Sequence, residues 1–300
     1  AIVLVAKKAE SIATKYGKDS VAVSISDRFT NEEASVIKKL ADAMGAKTLC
    51  FNHVESGLKK VLGVDKSPNA MDELLSTNVI LVFGYIMEKN PVVQLKLKQA
   101  AENGAKVYVI NPVGVEVVNF DFAEKVIYTG NNLDALKEIA KYLVDEKDNL
   151  SLTNLLELKK SLENVFVSDE IKEVASAYNN AKKAMIVFQE NVLSVDAATM
   201  IGNIALVSNH IGAPRDGIVQ IKGKNNTQGL VDMGIDKGIE EMANVKALLC
   251  FGEDPCVLGD DILDNLEFVM TVDTHMTDTC KNSDVVLPGS GPMSVEGTYT

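Results

Sequence analysis

With 300 residues, 46% of them apolar, the chain is long enough to bury two cores or one elaborated core. Its 42 acidic residues outnumber 30 basic ones for a net charge of -12, which repels nucleic acid phosphates and anionic membrane surfaces. The four cysteines (Cys50, Cys250, Cys256, Cys280) lack C-x-x-C spacing and the three histidines are dispersed, which argues against a zinc cluster and for free thiols in a reducing cytoplasm. No apolar run is long enough to span a bilayer, so direct membrane contact is not expected.

In chain order, Ala1 to Tyr16 carries apolar residues at helical spacing, Gly17 stops it, and the alternating run Val21 to Ile25 predicts a strand. Thr30 and Glu33 form a T-x-x-E capping box that opens a helix, with Gly45 as its stop. A short strand is expected over Thr48 to Phe51. Val79 to Phe83 then predicts a buried strand ending at Gly84, and Pro91 opens a helix that Gly104 closes. Strands follow at Val107 to Ile110 and Val126 to Tyr128, several helices at about Leu133 to Ala181, and another strand at Met185 to Phe188. A helix is expected from Val195 to Ile211, closed by Gly212. The last third repeats the pattern with strands at Ala247 to Phe251, Phe268 to Val272 and Val285 to Leu287. This strand, loop, helix alternation predicts an α/β fold built on mostly parallel sheets with helices on both faces. In such sheets ligands sit beyond the carboxyl ends of the strands, the level of Gly84, Asn111, Gln189, Gly252 and Asp273.

Six landmarks occur in a fixed order: T-N-E-E at Thr30 to Glu33, the helix opening at Asn90 and Pro91, G-A-K-V-Y-V-I-N-P at Gly104 to Pro112, K-G-K-N-N-T-Q-G-L-V-D-M-G at Lys222 to Gly234, C-F-G-E-D-P at Cys250 to Pro255, and V-D-T-H-M-T-D-T-C-K-N-S-D-V-V-L-P at Val272 to Pro288. The series resembles the molybdopterin oxidoreductase family, especially formate dehydrogenases and the large iron-sulphur subunit of NADH dehydrogenase. The resemblance implies two Rossmann-like units, one inserted in the other: residues 1–52 with 223–300, and residues 53–222. It implies a pterin guanine dinucleotide on each, with molybdenum between them. It also implies an amino-terminal [4Fe-4S] domain and a carboxyl-terminal β-barrel elsewhere in a longer polypeptide, of which this chain is expected to be a fragment.

Carried onto this sequence, the resemblance makes Gly252, Glu253, Asp254, Asp273, Thr277 and Thr279 candidates for the base, ribose and phosphates of one dinucleotide. Asn225, Asn226 and Gln228 are candidates for the pterin edge. Each has a structural alternative, since Asp273 also suits a turn cap and asparagines beside glycine often only shape a loop. Cys50 falls where the metal-ligating thiolate is expected, with Phe51 in place of the usual histidine; a buried thiol is its alternative. Lys222 replaces the arginine that precedes the G-x-N-N motif in catalytic members, keeping the charge without the bidentate fork. In the inserted unit, Tyr85 and Ile86 after Gly84, Asn111-Pro112-Val113 in place of D-P-R, and Gln189-Glu190-Asn191 in place of a glycine-rich turn depart from the pattern. These departures predict that the pterin guanine dinucleotide is absent or degraded in that unit. The expected function is that of a domain like the one in the large iron-sulphur subunit of NADH dehydrogenase, part of a redox complex and without catalytic molybdenum. It would be a scaffold whose partners are other subunits of a cytoplasmic or cytoplasm-facing complex. The alternative is the core of a formate dehydrogenase-like enzyme, with Cys50 on the metal and Lys222 on the substrate.

Overall fold

A computed structural model describes residues 1–84, 90–114, 117, 119–147, 154–259 and 261–300. The chain divides into two compact units, Ala1–Val54 with Gly223–Thr300, and Glu55–Lys222.

The first unit begins with α1 (Ile2–Tyr16), β1 (Val21–Ile25), α2 (Asn31–Met44) and β2 (Lys47–Leu49). The intervening unit holds α3 (Leu58–Leu62), β3 (Val79–Phe83), α4 (Pro91–Glu102), β4 (Lys106–Pro112), β5 (Lys125–Thr129), α5 (Asn132–Asp145), α6 (Leu155–Ser161), α7 (Asp169–Asn179), β6 (Ala184–Gln189), α8 (Val195–Ser208) and β7 (Gly217–Ile221). The chain then completes the first unit with α9 (Thr227–Asp232), β8 (Ala247–Phe251), β9 (Phe268–Asp273), α10 (Asp278–Lys281) and β10 (Val285–Pro288).

Among the described residues the strands form two five-stranded sheets, ordered β10-β9-β8-β1-β2 and β5-β4-β3-β6-β7. Every pairing within them is parallel. The central strands are buried along their whole length because parallel sheets are covered on both faces. In the intervening unit Leu81 and Phe83 face the core under α5, α7 and α8, whereas Ile80 and Val82 face the core under α4. The helix α8 is apolar nearly all round, which suits a helix buried on several sides. The α/β architecture expected from the alternation is therefore the architecture observed.

Local chemistry sets several ends. Thr30 Oγ1 accepts the Glu33 amide while the Glu33 carboxylate accepts the Thr30 amide, the reciprocal cap the sequence signals. Two boundaries differ from expectation. The second strand stops at Leu49, because the Cys50 amide donates to the Lys237 carbonyl and the Phe51 amide to Glu253, which takes both out of the ladder. The helix α8 ends at Ser208 because Asn209 turns left-handed at φ 66°, three residues before the glycine expected to stop it. Beyond Gly212 the chain forms β7, a strand the sequence pattern does not announce. The residues Tyr85 and Ile86 lie outside the described residues.

Leu81 sits on the central strand of the intervening unit, fully buried. Leu81→Ala is expected to destabilise that unit by about 2–5 kcal/mol, read as a lower urea midpoint.

Candidate functional site

In the first unit the chain runs outward from β1 to β2, then restarts on the other side of β1 with β8 and runs outward through β9 to β10. The reversal leaves a crevice beyond the carboxyl ends of β1 and β8, the place where open parallel sheets bind ligands. A cavity of about 890 Å³ occupies it. Its walls include Phe29, Val36, Ile37 and Tyr299, with Asp254 and Asp273 at the strand ends.

Gly252 opens this crevice. Its φ of 69° is left-handed, and a Cβ there would lie 2.6 Å from the Phe29 ring and 3.1 Å from Ser26 Cβ. Its amide donates to the Val272 carbonyl at 2.8 Å, tying the exit of β8 to β9. Asp254 Oδ1 accepts the Thr279 amide at 2.9 Å and the Thr279 hydroxyl at 2.5 Å, leaving Oδ2 without a hydrogen bond among the described residues. Asp273 uses Oδ1 on the His275 amide at 3.0 Å and likewise leaves Oδ2 open. Thr277 lines the cavity and caps α10 by accepting the Cys280 amide. Thr279 is fully buried and fixes Asp254 from behind. Arg28, which no sequence motif singles out, also lines the cavity, and its guanidinium makes no ion pair among the described residues.

Glu253 turns away from this cavity. It is buried, and its Oε1 accepts the Phe51 amide at 2.8 Å. Burial raises its carboxyl to about 8, and the neighbouring Asp27 carboxyl adds to the rise. Asp27 is buried too, accepting from Asn52 at 3.1 Å and from the Thr227 hydroxyl at 2.7 Å. Beside them lies Cys50, 1% exposed. Burial pushes its thiol far up, and Glu253 and Asp27 push it further.

The amide-bearing candidates divide. Asn226 is fully buried and braces the turn after β1, donating to the Phe29 carbonyl at 2.8 Å and accepting the Thr300 amide at 2.9 Å. Gln228 donates to Asp232 within α9, and Asn225 reaches only the Arg28 carbonyl at 3.5 Å.

The intervening unit reverses between β3 and β6. Beyond its strand ends, Lys222 is drawn into a buried cluster, with its ammonium 2.8 Å from Asp65 and 3.3 Å from Glu190. Gln220 donates to the same Asp65 oxygen and to Ser56. Asn111 and Gln189 lie near the ends of β4 and β6, buried; neither amide atom of Asn111 nor the Gln189 Oε1 has a partner among the described residues. The structure thus brings Gly252, Asp254, Asp273 and Thr277 to one cavity, and places Glu253, Cys50 and Asn226 in the packing behind it. It places Lys222 in a separate ion cluster of the other unit.

These buried groups make stability depend on charge in two ways. In the folded chain Glu253 keeps its proton up to about pH 8, whereas an unfolded glutamic acid releases it near 4.5. The unfolded state therefore binds fewer protons across that window, and the stability of the first unit should fall as pH rises from 4.5 to 8. Glu253→Gln should flatten that slope in denaturant titrations run at several pH values. Lys222→Met removes the ammonium from the buried Asp65 and Glu190 side chains, an expected loss of about 3–5 kcal/mol measured by chemical denaturation.

Comparison with known proteins gives this geometry a family. The molybdopterin oxidoreductase family model matches residues 1–300. The F420-dependent formate dehydrogenase 2 subunit alpha of Methanococcus maripaludis is 26% identical over 95% of this chain and 53% of its own length. Formate dehydrogenase H of Escherichia coli is 25% identical over 99% of this chain and 52% of its own length. The chain spans about half the length of these curated relatives. A solved structure of the formyltransferase/hydrolase complex from Methylorubrum extorquens with methylofuran shares the fold, with a TM-score of 0.58 at 11% identity over 95% of this chain and 84% of that one. The chain belongs to the molybdopterin oxidoreductase family.

Proposed function

We propose that this member of the molybdopterin oxidoreductase family is a domain of a redox-complex subunit, like the large iron-sulphur subunit of NADH dehydrogenase. In this reading it has given up molybdenum chemistry and serves as a scaffold for electron transfer carried out elsewhere in the polypeptide. The carrying observation is Cys50. A metal-ligating cysteine must be a thiolate with a path to the metal. This one is almost fully enclosed, and burial together with two carboxyl neighbours favours its protonated form. The donor set does not fit a metal centre.

The crevice of the first unit does fit half of a pterin guanine dinucleotide. Gly252 lets a ligand approach the backbone at the end of β8, and Asp254 and Asp273 each offer a carboxylate oxygen, unengaged among the described residues, to ring N–H or ribose hydroxyl groups. Arg28 is the cation within reach of a phosphate there. The strand ends of the intervening unit fit such a group poorly. The one ammonium of the Lys222 cluster is already engaged by two acidic side chains, and Asn111 and Gln189 near the strand ends are neutral amides. Domain boundaries at residues 52 and 223, iron-sulphur clusters outside this chain, other subunits as partners and a cytoplasmic location all belong to this proposal.

A second proposal, the core of a formate dehydrogenase-like enzyme, draws on the formate dehydrogenases among the relatives. Metal and pterin content of the full-length protein decides between the two. We expect molybdenum and tungsten far below one per polypeptide. A value near one, with extractable pterin, would overturn the scaffold and favour the enzyme. In the parent protein, Cys50→Ala is expected to leave electron-transfer activity unchanged, whereas a metal ligand would abolish it.

A further inference from the structure

The helix cap explains only half of the T-N-E-E landmark. Thr30 and Glu33 cap α2, whereas Asn31 and Glu32, the middle pair, reach to the chain around Thr298. The Glu32 carboxylate accepts the Thr298 amide at 2.8 Å and the Thr298 hydroxyl at 3.0 Å. The Thr298 carbonyl accepts the Asn31 amide at 2.8 Å, a donor that the first turn of a helix leaves without an internal partner. The Asn31 side-chain amide donates to the Thr298 and Thr300 hydroxyls at 3.2 and 3.0 Å. Gly297 makes room for this contact, since a Cβ there would lie 2.6 Å from both Cβ and Cγ2 of Thr30.

The chain reaches this anchor from the far edge of the same sheet. The edge strand β10 lies three strands from β1, on the order of 15 Å at the usual strand spacing. The nine residues 289–297 can extend about 30 Å, so the segment has slack. At its start the Gly289 amide donates to the Asp273 carbonyl at 2.9 Å. Among the described residues no hydrogen bond joins residues 290–296 to the rest of the unit; the Ser294 amide closes on the Gly291 carbonyl within the segment. Ser290, Pro292 and Val295 nevertheless line the cavity of the first unit, with Glu32 and Tyr299 at the anchored end. The segment is a wall of the crevice pinned at its two ends.

We propose that residues 289–298 are a strap closing the outer side of this crevice, that Asn31 and Glu32 are its latch, and that a nucleotide enters and leaves when the latch releases Thr298. The retention of a nucleotide rests on the reading of the crevice given under the proposed function; the strap and its latch rest on the geometry alone. The two ends differ in strength. Gly289 continues directly from β10, whose pairing with β9 would have to break before that end moved. Glu32 and Thr298 are both exposed, so water can replace their hydrogen bonds one by one, and this end opens first. The slack in the segment lets it open without pulling on β10.

A glutamyl endoprotease reads the latch without any ligand, because Glu296 is exposed and lies two residues before Thr298. In the parent protein, Glu32→Ala should speed cleavage after Glu296 about tenfold, as expected when hydrogen bonds to a charged group are removed. Glu32→Gln keeps an acceptor oxygen and should lie between that variant and the wild type. Cleavage at the wild-type rate in Glu32→Ala would overturn the latch. Labelled GDP is the probe for retention: its dissociation should be about tenfold faster in Glu32→Ala and in Gly297→Ala, where the added methyl group displaces the strap, with association no slower than in the wild type. Unchanged dissociation in both variants, or faster dissociation with slowed association, the mark of a damaged crevice, would overturn the strap as its closure. GDP bound by none of the three proteins would instead overturn the nucleotide reading, and cleavage after Glu296 would still decide the latch.

Discussion

Burial of both faces of each parallel sheet is the constraint from which the rest of the molecule follows. A strand such as Ile80 to Phe83 or Ala22 to Ile25 has no exposed side on which to carry chemistry, because each face is sealed by packing. Polar function is therefore confined to the rungs at the strand ends. There the ladder runs out and loops bring in groups that can face water or a ligand. Ser26, Gly252 and Asp273 stand at that level in one unit, and Asn111, Gln189 and Lys222 in the other.

The two units use that level differently, and charge shows the difference. In the first unit Asp254 and Asp273 each spend one oxygen on fixing a loop and, among the described residues, keep the other unengaged beside a cavity with apolar walls. In the other, Lys222 lies between Asp65 and Glu190 with all three side chains largely out of water. Such clusters are costly to form and costlier to break, since removing one member strands a buried charge. A lysine so engaged is poorly placed to receive an outside carboxylate or phosphate.

Much of the fold was legible in the sequence because local and tertiary preferences agree. The Thr30 and Glu33 cap, the Pro91 helix start and the apolar runs at Val79 and Ala247 all form what their patterns announce. Legibility failed where a long-range contact decided the local outcome. Leu49 ends a strand because Lys237 and Glu253, distant in sequence, take the next two amides. The helix α8 stops at a left-handed Asn209 where Gly212 looked the better stop, and the five-residue strand β7 opens on a glycine, a weak strand signal. The candidate site was legible as a set of residues but not as a geometry. Glu253 and Asp254 are adjacent in sequence, yet one is buried against Phe51 while the other lines the cavity, and only the path of the chain beyond Gly252 separates them. Nothing in the sequence marked Asp65 or Glu190 as counter-ions of Lys222.

At Cys50, position and environment point in opposite directions. The resemblance expects a metal ligand at about its place in the sequence, whereas its surroundings are those of a core thiol. A cysteine becomes a ligand through what lowers the energy of its thiolate: a nearby cation, a helix amino terminus or solvent. Here two buried carboxyls stand beside it, and both act in the opposite direction. Glu253 holds its own proton for the same reason, since an anion beside Asp27 in a dry interior would have no counter-charge. Cys50 and Glu253 thus pack against Asp27 only with their protons retained. The packing that makes the loop after β2 compact is also the packing that disfavours a thiolate at Cys50, and restoring one would require changing Glu253 and Asp27 as well as opening the loop.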